Sequence, residues 1–145
     1  MPIEAESNHI HFHFEAVDPP FTNTDKLAEW IRECIHHEGG ILHYINYIFC
    51  SDEYLHQINL DFLQHDTLTD IITFPYSDEA IESDIYISIE RVVENAQTFG
   101  VSTQNELRRV MIHGVLHLLG YDDKSPEEQR SMRAKEEECL QRLGE

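Results

Sequence analysis

The stretch HGVLHLLGYDD, from His113 to Asp123, sets two histidines four residues apart, then Gly120, then a pair of aspartates. On a helix advancing about 100° per residue, His113 and His117 fall about 40° apart and one turn along the axis. Nearly every other residue from Val110 to Leu119 is apolar: Val110, Met111, Ile112, Val115, Leu116, Leu118 and Leu119. A helix apolar on all sides is a buried helix. Two imidazoles buried side by side are costly unless each has a partner, and a shared metal ion is one, because each neutral ring offers a nitrogen lone pair. Gly120 stands where a helix ends in the left-handed conformation. The chain can turn back there and bring Asp122 or Asp123 toward the histidines, and the spacing favours Asp123. His113, His117, Gly120 and Asp123 match the positions of the long metalloprotease motif H-E-x-x-H-x-x-G-x-x-H, with Asp in place of the third His. Three protein ligands leave a position open for water, the arrangement of a catalytic zinc site. The alternative is a pair of core histidines followed by an ordinary glycine turn. The glycine and the acidic third position together favour the metal.

The residue after the first histidine is Gly114, where a protease carries the glutamate that takes a proton from the metal's water. Peptide hydrolysis by that route is therefore disfavoured. A metal can still lower a water's pKa toward ~7 and polarise a phosphoryl oxygen, so phosphodiester hydrolysis stays feasible.

The elements that must position this site can be read from periodicity. HIHFHFEA (His9 to Ala16) alternates strictly and reads as a half-buried strand. TDKLAEWIRECIHHEGG follows as a helix capped by Thr24, with Leu27, Trp30, Ile31, Cys34 and Ile35 as its apolar stripe and Gly39-Gly40 at its end. HYINYIFC is a second strand, and SDEYLHQINLDFL a helix capped by Ser51. DIITFPY is a third strand closed by Pro75. DIYISIE is a fourth, leading into the helix RVVENAQTFG. Two further helices run from about Ser102 to Leu119 and from Pro126 to about Leu143. The last begins with Ser125 as cap, Pro126 at the first helical position and Glu128 closing a capping box. Its stripe of Met132, Cys139, Leu140 and Leu143 is core packing. Strands alternating with helices early, then helices alone, give a small mixed sheet packed against several helices, about five by this count.

The chain has 145 residues, enough for one domain with a real core, residues 1–145 with no internal repeat or linker. No run approaches the ~18 apolar residues of a membrane span. The acidic, polar start MPIEAESNHI is not a secretory signal. Cys34, Cys50 and Cys139 are odd in number, far apart and in no ligand pair, so they read as reduced core residues of a cytoplasmic protein. A net charge of −18 argues against a nonspecific RNA binder. Eight of the ten basic residues lie at or after Arg91, among them Arg108, Arg109 and Lys135, and read as surface partners of nearby glutamates.

HGVLHLLGYDD resembles the signature of the YbeY family of bacterial rRNA-maturation metalloproteins, H-G-x-L-H-L-x-G-Y-D-H. INLDFLQHDTLTDIITFP (Ile58 to Pro75) is similar to the family's L-N-x-x-Y-R-x-x-D-x-P-T-D-V-L-S-F-P, and SDIYIS to its G-D-I-x-I-S edge strand. The resemblance covers roughly the C-terminal two-thirds of the chain. It implies an α+β fold with a four-stranded mixed sheet and a zinc ion at the mouth of a cleft, held at the C-terminal end of the buried helix by His113, His117 and Asp123. It further implies a single-strand-specific endoribonuclease acting in small-subunit rRNA maturation and ribosome quality control. The partners implied are the small ribosomal subunit and a ribosome-assembly GTPase. Two positions depart from the pattern. The third ligand is Asp123 rather than histidine, which zinc accepts. The family's arginine, proposed to hold phosphate, falls on Leu63, which removes a bidentate clamp. His65, two residues on, is a candidate substitute, with a solvated loop histidine as the plainer reading.

Other candidates read more plainly. His9, His11 and His13 share one strand face at ~6.6 Å spacing and form a solvent-facing set. Glu106, two turns before His113 and ~10 Å away, reads as a surface glutamate, with a role at the cleft edge as the alternative. Asp70, after Thr69, either supports the cleft by hydrogen bonding or caps a turn.

Overall fold

The computed structural model describes residues 9–19, 23–65 and 69–143. In chain order the elements are β1 (Ile10–Phe14), α1 (Thr24–His37), β2 (Leu42–Cys50), α2 (Asp52–Ile58), a π-helical turn (Asn59–Leu63), β3 (Ile71–Pro75), β4 (Ile81–Ser88), α3 (Ile89–Phe99), α4 (Thr103–Leu118) and α5 (Pro126–Leu143). This is the α+β arrangement expected, with four strands and five α-helices.

The strand order is β1-β2-β4-β3. β1 and β4 both pair parallel to β2, and β3 pairs antiparallel to β4, with Thr73 opposite Ile85. The SDIYIS strand is therefore interior rather than an edge. Its inward side chains Ile81, Ser83, Ile85 and Ile87 are buried. Its outward Glu82 and Asp84 are occupied by His43 Nδ1 (2.7 Å) and by Asn46 Nδ2 (3.0 Å) with the Tyr76 hydroxyl (2.8 Å). β3 takes the edge instead, and its free side borders the cleft described below.

One face of the sheet carries the main core. Ile45, Tyr47, Phe49, Ile85 and Ile87 meet Trp30, Ile31, Cys34 and Ile35 of α1, Val110, Met111, Val115 and Leu116 of α4, and Met132 and Cys139 of α5. Phe12 stacks on Tyr47 and Phe14 on Phe49, ring centres 5.7 and 5.4 Å apart, which makes β1 half-buried as its alternation requires. Buried polar tips find partners: Tyr47 hydroxyl donates to Met111 O (3.0 Å) and Trp30 Nε1 to Cys139 O (2.7 Å). All three cysteines are buried and free. Cys34 and Cys139, far apart in sequence, are hydrogen-bonded to each other between α1 and α5, and that bond together with burial pushes the Cys34 thiol up. A smaller cluster of Cys50, Leu55 and Ile72 lies under α2 on the opposite face.

Two local expectations need correction. The cap of α1 is Asn23, whose Oδ1 accepts from Lys26 N (3.0 Å); Thr24 is already the first helical residue. The segment after Ser51 starts as expected, Ser51 Oγ accepting from Tyr54 N (3.1 Å), but the α-helix stops at Ile58 and widens into the π-helical turn. Gln64 closes that turn in the left-handed region at φ 58°, and the His65 N–H returns to Asn59 O (3.1 Å).

Candidate metal centre

α4 starts at Ser102, whose Oγ accepts from Asn105 N (3.0 Å), and runs buried across the sheet. It ends in a Schellman turn. Gly120 N–H donates to His117 O and Tyr121 N–H to Leu116 O, both at 3.0 Å, with Gly120 at φ 107°. That left-handed residue turns the chain back under the helix end. Beyond it the loop is held at both ends. Tyr121 hydroxyl donates to Oε1 of Glu38, the C-cap of α1 (2.8 Å), while Ser125 and Glu128 form the reciprocal capping box of α5, each bond 3.0 Å.

This geometry brings together the three residues expected from the sequence. His113 Nε2 and His117 Nε2 lie 3.1 Å apart, their rings edge-on with centres 4.6 Å apart. Asp123 Oδ2 is 3.4 Å from each. Asp122, the alternative by spacing, is exposed. The three ligand atoms lie within 4.8 Å of one another, and among the described residues no other group of three ligating side chains converges in this way.

Behind His113 is a set of charges that sequence reasoning missed. Glu136 Oε2 is 2.6 Å from His113 Nδ1. Glu136 Oε1 accepts from Arg109 Nη1 (3.1 Å), and Arg109 donates through Nε and Nη2 to both oxygens of Glu106, at 3.0 and 2.6 Å. Glu106 and Glu136 are each only 1% exposed. Glu106 is thus a buried ion-pair partner rather than a surface glutamate, and Arg109 is no surface cation. Burial pushes the Glu136 carboxyl up, but the bonds from His113 and Arg109 outweigh it and hold it below the usual glutamate range. An ionised carboxylate only accepts, so Nδ1 of His113 carries the proton and Nε2 keeps its lone pair for the centre. Two imidazoles and one carboxylate, converging at the end of a buried helix, form a donor set that fits zinc.

The centre opens into a cleft of about 590 Å³ between α4, the free side of β3 and the π-helical turn. Leu63 and His65 both line it, so His65 is a cleft residue even though its side chain is exposed. No lysine or arginine is among the described residues lining the cleft. Gly114 sits on its floor. A Cβ there would lie 2.9 Å from Ile71 Cδ1, 3.3 Å from Thr73 Cγ2 and 3.5 Å from Ile85 Cδ1. A side chain there, and a glutamate most of all, would have to push aside the tips of the Ile71 and Thr73 side chains.

A family model for the endoribonuclease YbeY matches residues 13–144. Relatives described as endoribonuclease YbeY include one from Amoebophilus asiaticus, 50% identical over 129 residues and 88% of each chain, and one from Flavobacterium johnsoniae, 47% identical over 90% of this chain and 94% of the relative. The solution structure of a Thermotoga maritima protein superposes with a TM-score of 0.67 at 28% identity, covering 91% of this chain and 88% of that one. The chain belongs to the YbeY endoribonuclease family.

Proposed function

We propose that the chain is a zinc-dependent, single-strand-specific endoribonuclease, one metallohydrolase-like domain over residues 1–145, acting in the cytoplasm in small-subunit rRNA maturation and ribosome quality control. Its partners in this reading are rRNA, the small ribosomal subunit and a ribosome-assembly GTPase. The observation that carries it is the convergence of His113, His117 and Asp123 at the mouth of a cleft, in a chain that belongs to this family.

His113 and His117 hold the metal through Nε2, and Asp123 adds one negative charge to the ligand set. Bound there, zinc supplies a Lewis acid toward water and a phosphoryl oxygen. Glu136 keeps the ring of His113 in one tautomer and one orientation. Gly114 lets α4 pack closely on the side chains of β3 and β4, and the cleft floor carries no carboxylate at that position. The missing glutamate argues against peptide hydrolysis.

A second reading is a ribosome-assembly binding factor whose metal is mainly structural. The net charge of −18 and a cleft lined by no described lysine or arginine favour it. One preparation separates the two, with zinc content and cleavage of single-stranded rRNA fragments measured for wild type beside His117→Ala. The nuclease reading expects one zinc per chain and RNA cleavage, both lost in the variant. Full zinc with intact RNA, in a protein that still co-sediments with small subunits, selects the binding factor. Metal retained by His117→Ala sinks the site itself.

A further inference from the structure

Gly114 stands where a protease carries its acid–base glutamate, so an acid–base group for this cleft has to be sought among its other lining residues. Apart from the three converging side chains, the described cleft-lining residues carry two titratable groups, His65 and Asp70. The buried carboxylates nearby are already committed: both oxygens of Glu106 accept from Arg109, and those of Glu136 accept from Arg109 and His113.

Asp70 is placed differently. It is half-buried at the start of β3, and its backbone is fixed by Ser88 N–H donating to Asp70 O (3.0 Å). Its Oδ2 accepts from Asn95 Nδ2 of α3 at 3.4 Å, and its own N–H also bonds the carboxyl. Among the described residues it makes no hydrogen bond to the three converging side chains, yet it shares their cleft. The charged groups around it are Arg109, Glu106 and His113 on α4, and Arg91 on α3, itself paired to Asp52 of α2 at 2.8 Å. Burial raises the Asp70 carboxyl above the usual aspartate range, against the pull of Arg109 and His113. That direction suits a group that must both take and return a proton.

Resting on the nuclease reading, we propose that Asp70 is the acid–base catalyst of the cleft, taking the proton of the water that attacks the RNA phosphodiester. The water's O–H bond breaks with its proton passing to the Asp70 carboxylate, and its oxygen bonds to phosphorus. The P–O bond to the leaving sugar oxygen breaks, the electron pair stays on that oxygen, and Asp70 returns the proton to it.

The test is Asp70→Asn, which keeps the shape and the contact with Asn95, beside His65→Gln. For Asp70→Asn, kcat on single-stranded RNA is expected to fall about 10²–10⁴-fold, the acid limb of the kcat–pH profile to vanish, and zinc content and KM to hold. In the intact wild type, a ¹³C carboxyl titration should place Asp70 above the ordinary ~3.9. The proposal is overturned if Asp70→Asn cleaves within about threefold of wild type. It is equally overturned if activity is lost together with zinc or the fold, if Asp70 titrates in the ordinary range, or if His65→Gln alone removes the acid limb. Wild-type cleavage is the control. A zinc-loaded wild type that cuts no RNA sinks the nuclease reading and this role with it, whereas active wild type beside active Asp70→Asn sinks this role alone.

Discussion

Two sets of histidines lie on opposite sides of this sheet, and only one of them is built for chemistry. On β1, His11 and His13 point away from the core with ring centres 6.5 Å apart, as a two-residue strand period dictates. A carboxylate is near, since Asp84 lines the same shallow surface pocket as His11, but it is committed to Asn46 and Tyr76. On α4 the four-residue period brings the His113 and His117 rings to 4.6 Å. Asp123 stands 3.4 Å from both nitrogens and Glu136 lies behind one ring. Strand spacing leaves each ring to the solvent. Helix spacing inside a core forces the rings together, and burial then demands partners for them.

Removing Glu136 is the most direct way to make the second set resemble the first. Glu136→Gln should weaken zinc binding by about 10–100-fold in chelator competition, because the ring of His113 loses its ionised acceptor. Glu136→Ala additionally takes one of two carboxylate partners from Arg109, which keeps Glu106, and should cost about 1–3 kcal/mol in denaturant melts. The folded pKa of Glu136 is depressed, so its stabilisation is present above the unfolded value of ~4.3 and is lost as pH falls through the folded value. Stability of the wild type should therefore drop more steeply below about pH 4 than that of Glu136→Gln. Unchanged zinc affinity in Glu136→Gln would mean that the α4 histidines are held no better than those on β1.

A second intervention adds a carboxylate rather than removing one. Gly114→Glu restores the residue a protease would have beside His113, but it must displace Ile71 and Thr73 of β3. Overpacking of this kind costs about 1–3 kcal/mol, set against about 1 kcal/mol gained in helix propensity over glycine. A net loss in urea unfolding, with no new peptidase activity, is the expected outcome. Stability equal to wild type would show that β3 yields easily and that sterics do not keep the glutamate out.

Much of the α4 site was legible because it is local. Four residues fix the histidine pair, three more reach the glycine turn, and three more reach Asp123, so periodicity and one left-handed position suffice. The capping box of Ser125 and Glu128 is local in the same sense. What escaped depends on partners distant in the chain. Glu136 lies four residues after Met132 and three before Cys139, inside an apolar stripe. A charge in that position was the available signal, but nothing nearby says that it reaches His113, 23 residues away. Arg109 and Glu106 escaped for the same reason, each looking like an ordinary helix-surface charge until α5 packs over them. The interior place of β4 is likewise invisible in its own alternation, because Glu82 and Asp84 look solvent-bound until His43, Asn46 and Tyr76 are seen to occupy them. At the start of α1, Asn23 and Thr24 are both competent caps, and only the backbone decides between them.

The smallest effect is expected at the β1 histidines, and it tests the comparison from its other side. His11 and His13 are both exposed, and among the described residues neither belongs to a converging group of three ligands, so replacing both by glutamine removes no such donor. The strand keeps its pairing to β2 through Ile10 to Phe14 and its buried face of Ile10, Phe12 and Phe14. Elemental analysis of the His11→Gln/His13→Gln variant should return the same zinc content as wild type, and melts should agree within about 0.5 kcal/mol, as for most surface substitutions. Should the double variant lose zinc while His113 and His117 are intact, strand spacing would have to be capable of building a metal site here. The distinction between the two sets would then rest on something other than burial and helical period.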